Sequence, residues 1–233
     1  MNILPESLLK QMAASIPAAE VAEMAIPSYL HKNPALRWMA HRRLQVLSAW
    51  IKDFQKPGLR ILDFGCGTGI LFPAASQVAD KIYGLDLQLQ PARMLIEHFD
   101  LKNVVLIEPE DFAEAVQDGE LDLIICGEVL EHIPELAAIL NQFQRKLNAQ
   151  GHLFVTAPTE SALYKFGRKL AGFSGEYHVQ NADTIHRAIL SANFEVSRRQ
   201  HIPLPAPFAI YWALDYIKNQ ASSGQRSDDA LIR

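Results

Sequence analysis

Downstream of residue 58 the chain alternates short apolar runs with stretches of helical period. Leu59–Phe64, Lys81–Asp86, Asn103–Ile107, Leu121–Cys126, His152–Thr156 and Phe194–Arg199 are apolar at consecutive positions and predict strands. Between them, Ile70–Val78, Pro91–Phe99, Phe112–Gln117, Pro134–Leu147 and Ala182–Ala192 predict helices. Strands without a polar face, each followed by a helix, imply an α/β architecture with a mostly parallel sheet covered on both sides. Ligands of such sheets sit at the carboxyl ends of the strands. The chemistry is therefore expected in the loops after Phe64, Asp86, Ile107, Cys126 and Thr156.

Two regions break this rhythm. The first 30 or so residues read as helix interrupted at Pro17 and ended near Pro27. Asn33 before Pro34 is a capping pair that opens a further helix to Phe54, closed by Lys56-Pro57-Gly58. At the other end, Phe208–Ile217 reads either as a last strand or as an interface helix, and the polar end beyond it lacks the composition to fold. Residues 1–57 are thus expected to form a helical lid and 58–200 the catalytic domain. Residues 201–233 would be a substrate or interface segment with a disordered end.

Composition narrows the class without naming it. The 233 residues are 49% apolar and 21% charged, with a formal charge of −4, which suits a folded chain and not a disordered one. No run of about 18 apolar residues is present, and the first residues lack the layout of a secretory signal. Two cysteines, Cys66 and Cys126, exclude a disulfide scaffold and suit a reducing cytoplasm. The bulk charge argues against nucleic acid as a partner. It also averages over His31–Arg60, where seven Lys or Arg face one acid, Asp53. Arg37, His41, Arg42 and Arg43 on that helix suit either a lid packed on the sheet or a peripheral contact with an anionic membrane.

The most specific signal is Ile61-Leu62-Asp63-Phe64-Gly65-Cys66-Gly67-Thr68-Gly69, a strand entering a loop with glycine at alternate positions. The spacing departs from the dinucleotide fingerprint, because Ile70 stands where its third glycine belongs. Asp63 is a poor neighbour for a pyrophosphate and a good one for an ammonium group. The segment resembles motif I of the class I S-adenosylmethionine-dependent methyltransferases. Asp86, ending the second strand candidate, suits ribose hydroxyls and equally suits a helix cap. Glu110 and Asp111 follow the third strand candidate, where an acidic first helical turn is the plain alternative.

After the fourth strand candidate comes Gly127-Glu128-Val129-Leu130-Glu131-His132. Were Glu128–His132 one helical turn, Glu128, Glu131 and His132 would share a face and could hold a divalent ion or supply a base. With GCGTGILF, YGLDLQLQPA, EVLEHIPE and GHLFVTAP, residues 43–160 are similar to the O-methyltransferases of ubiquinone biosynthesis. The resemblance implies a Rossmann-like, mostly parallel seven-stranded sheet. It places Arg43, Asp63, Gly65, Cys66, Gly67, Gly69, Asp86, Leu87, Glu110, Asp111 and Gly127 around S-adenosyl-L-methionine, with Arg43 meeting the cofactor carboxylate. It also puts Glu128, Glu131, His132 and His178 forward as ligands of a divalent cation, although many relatives carry such a turn without metal. His132, His178 and Glu131 are then the candidate catalytic groups for removing a proton from a hydroxyl acceptor. No Asn-Pro-Pro-Tyr element follows the fourth strand candidate, which favours an oxygen acceptor on a small or lipid-like molecule. Metal-dependent 2′-O-methylation of RNA, and a non-catalytic cofactor-binding partner of the same fold, are the alternatives.

Overall fold

A computed structural model describes residues 4–159, 181–205 and 208–219. Four helices come first: α1 (Glu6–Ala14), α2 (Ala18–Glu23), α3 (Ile26–Tyr29) and α4 (Pro34–Asp53). Pro27 does not end the helical region as expected; it sits in the first turn of α3, where its missing N–H costs nothing. Asn33 caps α4 as expected, its side chain accepting from the Ala35 N–H at 2.9 Å.

The sheet follows as β1 (Arg60–Phe64), β2 (Lys81–Leu85), β3 (Val104–Ile107), β4 (Leu121–Gly127), β5 (Leu147–Pro158), β6 (Phe194–Ile202) and β7 (Tyr211–Lys218). The helices between strands are α5 (Phe72–Ala75), α6 (Gln90–Phe99), α7 (Phe112–Ala115), α8 (Leu136–Lys146) and α9 (Ala182–Ser191). Strand order is β3-β2-β1-β4-β5-β7-β6. β7 alone runs antiparallel, inserted between β5 and β6. The order reverses between β1 and β4, so the crevice at their carboxyl ends is the switch point where such sheets bind ligands.

Of Phe208–Ile217, the residues from Tyr211 onward form a strand: β7 pairs with β5 over His152–Pro158 and with β6 over Phe194–Ile202. The boundary expected at 200/201 falls inside β6, and β7 is paired on both sides within the same sheet. The helix expected over Ile70–Val78 shrinks to four residues, because Gly69 and Pro73 bracket its start and Ser76–Ala79 turns tightly toward β2.

Each face of the sheet has its own core. On one, Leu44, Leu47, Trp50 and Ile51 of α4 pack with Ile61, Leu123, Ile125 and Phe154. On the other, Phe143 and Leu140 of α8 and Ile185 and Ile189 of α9 pack with Leu62, Ile124, Leu153 and Leu214. Trp50 meets Phe154 edge-on at 5.5 Å, and Phe64 meets Phe143 the same way at 5.0 Å. The helix α4 is thus part of the catalytic unit's core, running against the strands so that its first turns reach their carboxyl ends.

Leu47→Ala tests that integration. Leu47 is fully buried with its Cδ1 lying 3.6 Å from where a Cβ on Gly127 would stand. The cavity is expected to cost about 2–5 kcal/mol, lowering the thermal midpoint followed by circular dichroism by roughly 5–15 °C. A detachable lid helix would leave the midpoint unchanged.

Candidate active site

The loop after β1 holds its shape through backbone bonds and close packing. The Gly65 and Cys66 N–H groups both donate to the Leu85 carbonyl, at 2.8 and 2.9 Å, fastening the loop to the end of β2. Gly65 has φ +75°, and a Cβ there would stand 2.5 Å from Val129 Cγ2. That glycine is required by the fold itself. Gly67 differs: its φ is +53°, but a Cβ would meet only the Met24 methyl, at 3.7 Å. Its N–H donates to Asp86 Oδ2 at 2.7 Å, while Asp86 Oδ1 accepts from Gln88 N–H at 3.0 Å. One carboxylate therefore organises both the glycine loop and the turn after β2.

Asp63 ends up buried beneath this loop, 4% exposed. Burial pushes its carboxyl up to about 7, and the nearby Asp86 pushes it the same way. A desolvated carboxyl beside a second one is a site that favours a cationic ligand group. The loop N–H groups, Asp86 and buried Asp63 thus fit the amino and ribose ends of an adenosyl amino acid. Glu20 from α2 reaches Gln88 and Met24 covers Gly67, so the N-terminal helices lie over the same loop.

The other expected cofactor residues are dispersed. Leu87 is 90% exposed beside Asp86, and Glu110 and Asp111 lie exposed in the 3-10 turn Pro109–Asp111 after β3. Gly127 closes β4 opposite Thr156. Cys66 packs into the apolar core, and burial raises its thiol far above the usual range, so it is filler and not a nucleophile.

The Glu-x-x-Glu-His segment departs from expectation. Glu128 has φ +59°, so no helical turn starts there, and only Leu130–His132 forms a 3-10 turn. Glu131 points inward at 1% exposure, whereas His132 is exposed. At about 120° per residue a 3-10 turn sends adjacent side chains apart. Glu128, Glu131 and His132 do not share a face. Among the described residues, no group of three His, Cys, Asp or Glu side chains could hold a metal ion. His178 lies outside the described residues. The three described donors therefore do not form the single helical face that the spacing predicts.

Glu128 turns instead to Arg43, with 2.6 Å between Oε2 and Nη1. Arg43 Nη1 also donates to the Tyr211 hydroxyl at 3.3 Å, with the guanidinium 5.3 Å from that ring, and Tyr29 adjoins it. Both groups are buried: burial pushes the Glu128 carboxyl up to about 7, and the Arg43 guanidinium beside it opposes that rise only in part. Of the basic helix residues that suit either a lid packed on the sheet or a membrane contact, Arg43 and His41 are buried at 8% and 3%, His41 stacked on Tyr29; the Arg43 guanidinium, expected to meet a cofactor carboxylate, is held by Glu128 and Tyr211. Tyr211 lies 168 residues from Arg43, so no local signal could have paired them. At the opposite, amino end of the sheet a cavity of about 410 Å³ is lined by Phe54, Lys56, Asp122 and His152. Its charged groups are already matched, Lys56 by Asp122 and His152 by Asp215.

Residues 38–215 match the family model described as a methyltransferase domain. The chain is 30% identical over 155 residues to the ubiquinone biosynthesis O-methyltransferase of Thiobacillus denitrificans, covering 64% of this chain and 66% of that one. It is 31% identical over 101 residues to the corresponding protein of Acinetobacter baylyi, covering 42% of each. The chain thus spans less than two thirds of either relative. Among solved structures, it resembles magnesium protoporphyrin IX methyltransferase from Synechocystis, solved with bound SAH (TM-score 0.60, 21% identity, 80% of this chain and 88% of that one). An S-adenosylmethionine-dependent methyltransferase from Aquifex aeolicus is similar at TM-score 0.58 and 18% identity, over 75% and 88% of the chains.

Asp63 gives the site a pH signature. In the unfolded chain its carboxyl titrates near 3.8 and in the folded one near 7. Between those values the folded protein binds the extra proton, so stability without ligand falls as pH rises from about 4 to about 7. Asp63→Asn is expected to flatten that fall by up to about 4 kcal/mol. Urea unfolding across this range measures it; parallel profiles for wild type and variant would show that Asp63 does not titrate as a buried acid.

Proposed function

The chain belongs to the methyltransferase-domain family, and from that premise we propose that it transfers a methyl group from S-adenosylmethionine to the oxygen of a small phenolic or lipid-like acceptor. The observation that carries the reading is the buried carboxyl of Asp63 beneath the glycine loop, at the switch point and beside Asp86. The likeness to O-methyltransferases of ubiquinone biosynthesis supports an oxygen acceptor.

The cofactor supplies an electrophilic methyl on a sulfonium. Asp63 would hold its ammonium group and Asp86 its ribose hydroxyls, with the glycine loop, fastened by its own N–H bonds, forming the wall between them. Methyl transfer is an in-line displacement, so the protein's contribution is alignment and exclusion of water. The N-terminal helices serve the second purpose, with Met24 over Gly67 and Glu20 on Gln88. A phenol must also shed its proton as its oxygen attacks. Glu128, at the end of β4 and ion-paired through only one oxygen, is the carboxylate that takes it. This assigns to Glu128 the role the sequence suggested for His132.

Calorimetry with S-adenosylhomocysteine tests the reading. Wild type is expected to bind. Asp63→Asn is expected to weaken binding about 10- to 100-fold, the usual worth of a charge-assisted contact. A folded wild type that does not bind overturns the proposal.

A peripheral membrane contact is a second proposal, resting on exposed apolar groups at the active-site end. Trp38 in the first turns of α4, and Leu204 and Phe208 between β6 and β7, are 49%, 56% and 58% exposed. With His41 and Arg43 buried, Lys32, Arg37 and Arg42 supply the positive charge. Flotation with anionic vesicles at low salt is expected, weakening with added salt; protein left at the bottom of the gradient removes this contact.

A further inference from the structure

Two buried polar atoms beside the Arg43–Glu128 pair have no hydrogen-bond partner among the described residues: Glu128 Oε1 and Thr156 Oγ1. They lie together. Gly127 and Thr156 are register partners on β4 and β5, and the Glu128 N–H donates to the Thr156 carbonyl at 3.1 Å. Thr156 is 1% exposed. Its neighbours along the same face of the sheet are Phe154 on β5 and Ala213 on β7, both in the α4-side core, so its hydroxyl points toward α4. On α4, Leu47 packs over Gly127, and Arg43 one turn earlier grips Glu128 and Tyr211. The unsatisfied pair therefore sits at the carboxyl ends of β4 and β5, next to the strand that carries Asp63.

Leaving a hydroxyl dry and unpaired is costly where a valine would fill the same volume without penalty. The two atoms are complementary: an ionised carboxylate oxygen only accepts, and a threonine hydroxyl can donate. A single hydroxyl group satisfies both, donating to Glu128 Oε1 while accepting from Thr156 Oγ1.

We propose that Thr156 and Glu128 form the subsite for the acceptor's reacting hydroxyl, with Thr156 the group that orients the attacking oxygen. This rests on the methyltransferase reading above. In the step, the acceptor oxygen forms its bond to the methyl carbon as the sulfur–methyl bond breaks, its electron pair returning to sulfur to leave the neutral thioether. The acceptor proton passes to Glu128 Oε1. Thr156 donates to the second lone pair of the acceptor oxygen and holds the first in line with the methyl. Arg43, bound to the other oxygen of Glu128, keeps that carboxylate from turning away.

The test compares wild type, Thr156→Val and Thr156→Ser, with catechol and a long-chain 2-alkylphenol as acceptors and S-adenosylhomocysteine as cofactor probe. Thr156→Val is expected to reduce kcat/KM for the methylated phenol at least tenfold and to leave S-adenosylhomocysteine affinity within about twofold. It is also expected to raise the thermal midpoint without ligand, since an unpaired buried hydroxyl is removed. Thr156→Ser, which keeps the hydroxyl, is expected to recover most of the activity. A merely structural threonine would predict a lower midpoint in the valine variant and no change in kcat/KM. Unchanged kcat/KM in Thr156→Val overturns the proposal, as does loss of S-adenosylhomocysteine affinity in its place, which would assign the hydroxyl to the cofactor. If wild type binds S-adenosylhomocysteine but methylates neither phenol, the phenolic-acceptor subsite falls while the cofactor assignment stands. Failure of wild type to bind S-adenosylhomocysteine overturns the underlying reading instead.

Discussion

The buried ion pair between Arg43 and Glu128 joins three parts of the chain that are far apart in sequence. Arg43 comes from the helix before the sheet, Glu128 from the loop that ends β4, and Tyr211, which takes a third share of the guanidinium, from the antiparallel strand β7. Isolated burial of either charge would cost several kcal/mol, and removing one partner of such a pair typically destabilises by about 3–5 kcal/mol. The pair is therefore a geometric constraint more than a source of net stability. It holds α4 over the carboxyl end of β4 and the amino end of the antiparallel β7, where Glu128 takes a left-handed conformation and keeps one carboxylate oxygen without a hydrogen-bond partner among the described residues.

Around that constraint the site divides into two electrostatic halves. At β1 and β2, Asp63 and Asp86 concentrate negative character beneath a loop of backbone N–H groups, an arrangement suited to a ligand that is cationic at one end and rich in hydroxyls at the other. At β4 and β5, the charges are internally matched, and only neutral or singly complementary groups find a place. A carboxyl held up to about 7 and a guanidinium held firmly charged can coexist across a few strands because each answers to its own neighbours. The N-terminal helices close over both halves, with Met24 over Gly67 and Tyr29 beside Arg43.

Much of this was legible beforehand. Four of the six strand candidates between Leu59 and Arg199 coincide with observed strands to within one residue at both ends, and the other two lie inside longer strands. Period and turn chemistry are local properties, and the doubly covered sheet leaves them nothing to compete with. Residues 147–151 and 157–158 lie outside the predicted strand because pairing with β4 and β7 extends β5 beyond its own apolar run. The glycine loop is legible as a strand-to-helix turn, and at Gly65 the residue is dictated by Val129 packed against it. Glu128, Glu131 and His132 were misread because a helical spacing was assumed where Arg43 draws the first residue out of the turn.

The sequence by itself determined the alternation of strands and helices, the capped start of α4, the glycine loop with Asp63 and Asp86, and through them the family. These depend on neighbours within a few residues, where periodicity and backbone sterics act. Only the tertiary structure decided that Tyr211–Lys218 joins the sheet as a strand, and that Arg43 and His41 turn inward while His132 turns out. It alone brought Tyr211 to Arg43 and Thr156 to Glu128. Burial sets those outcomes: a charge or hydroxyl removed from water must find its complement wherever the fold brings one near, and distance along the chain carries no information about that.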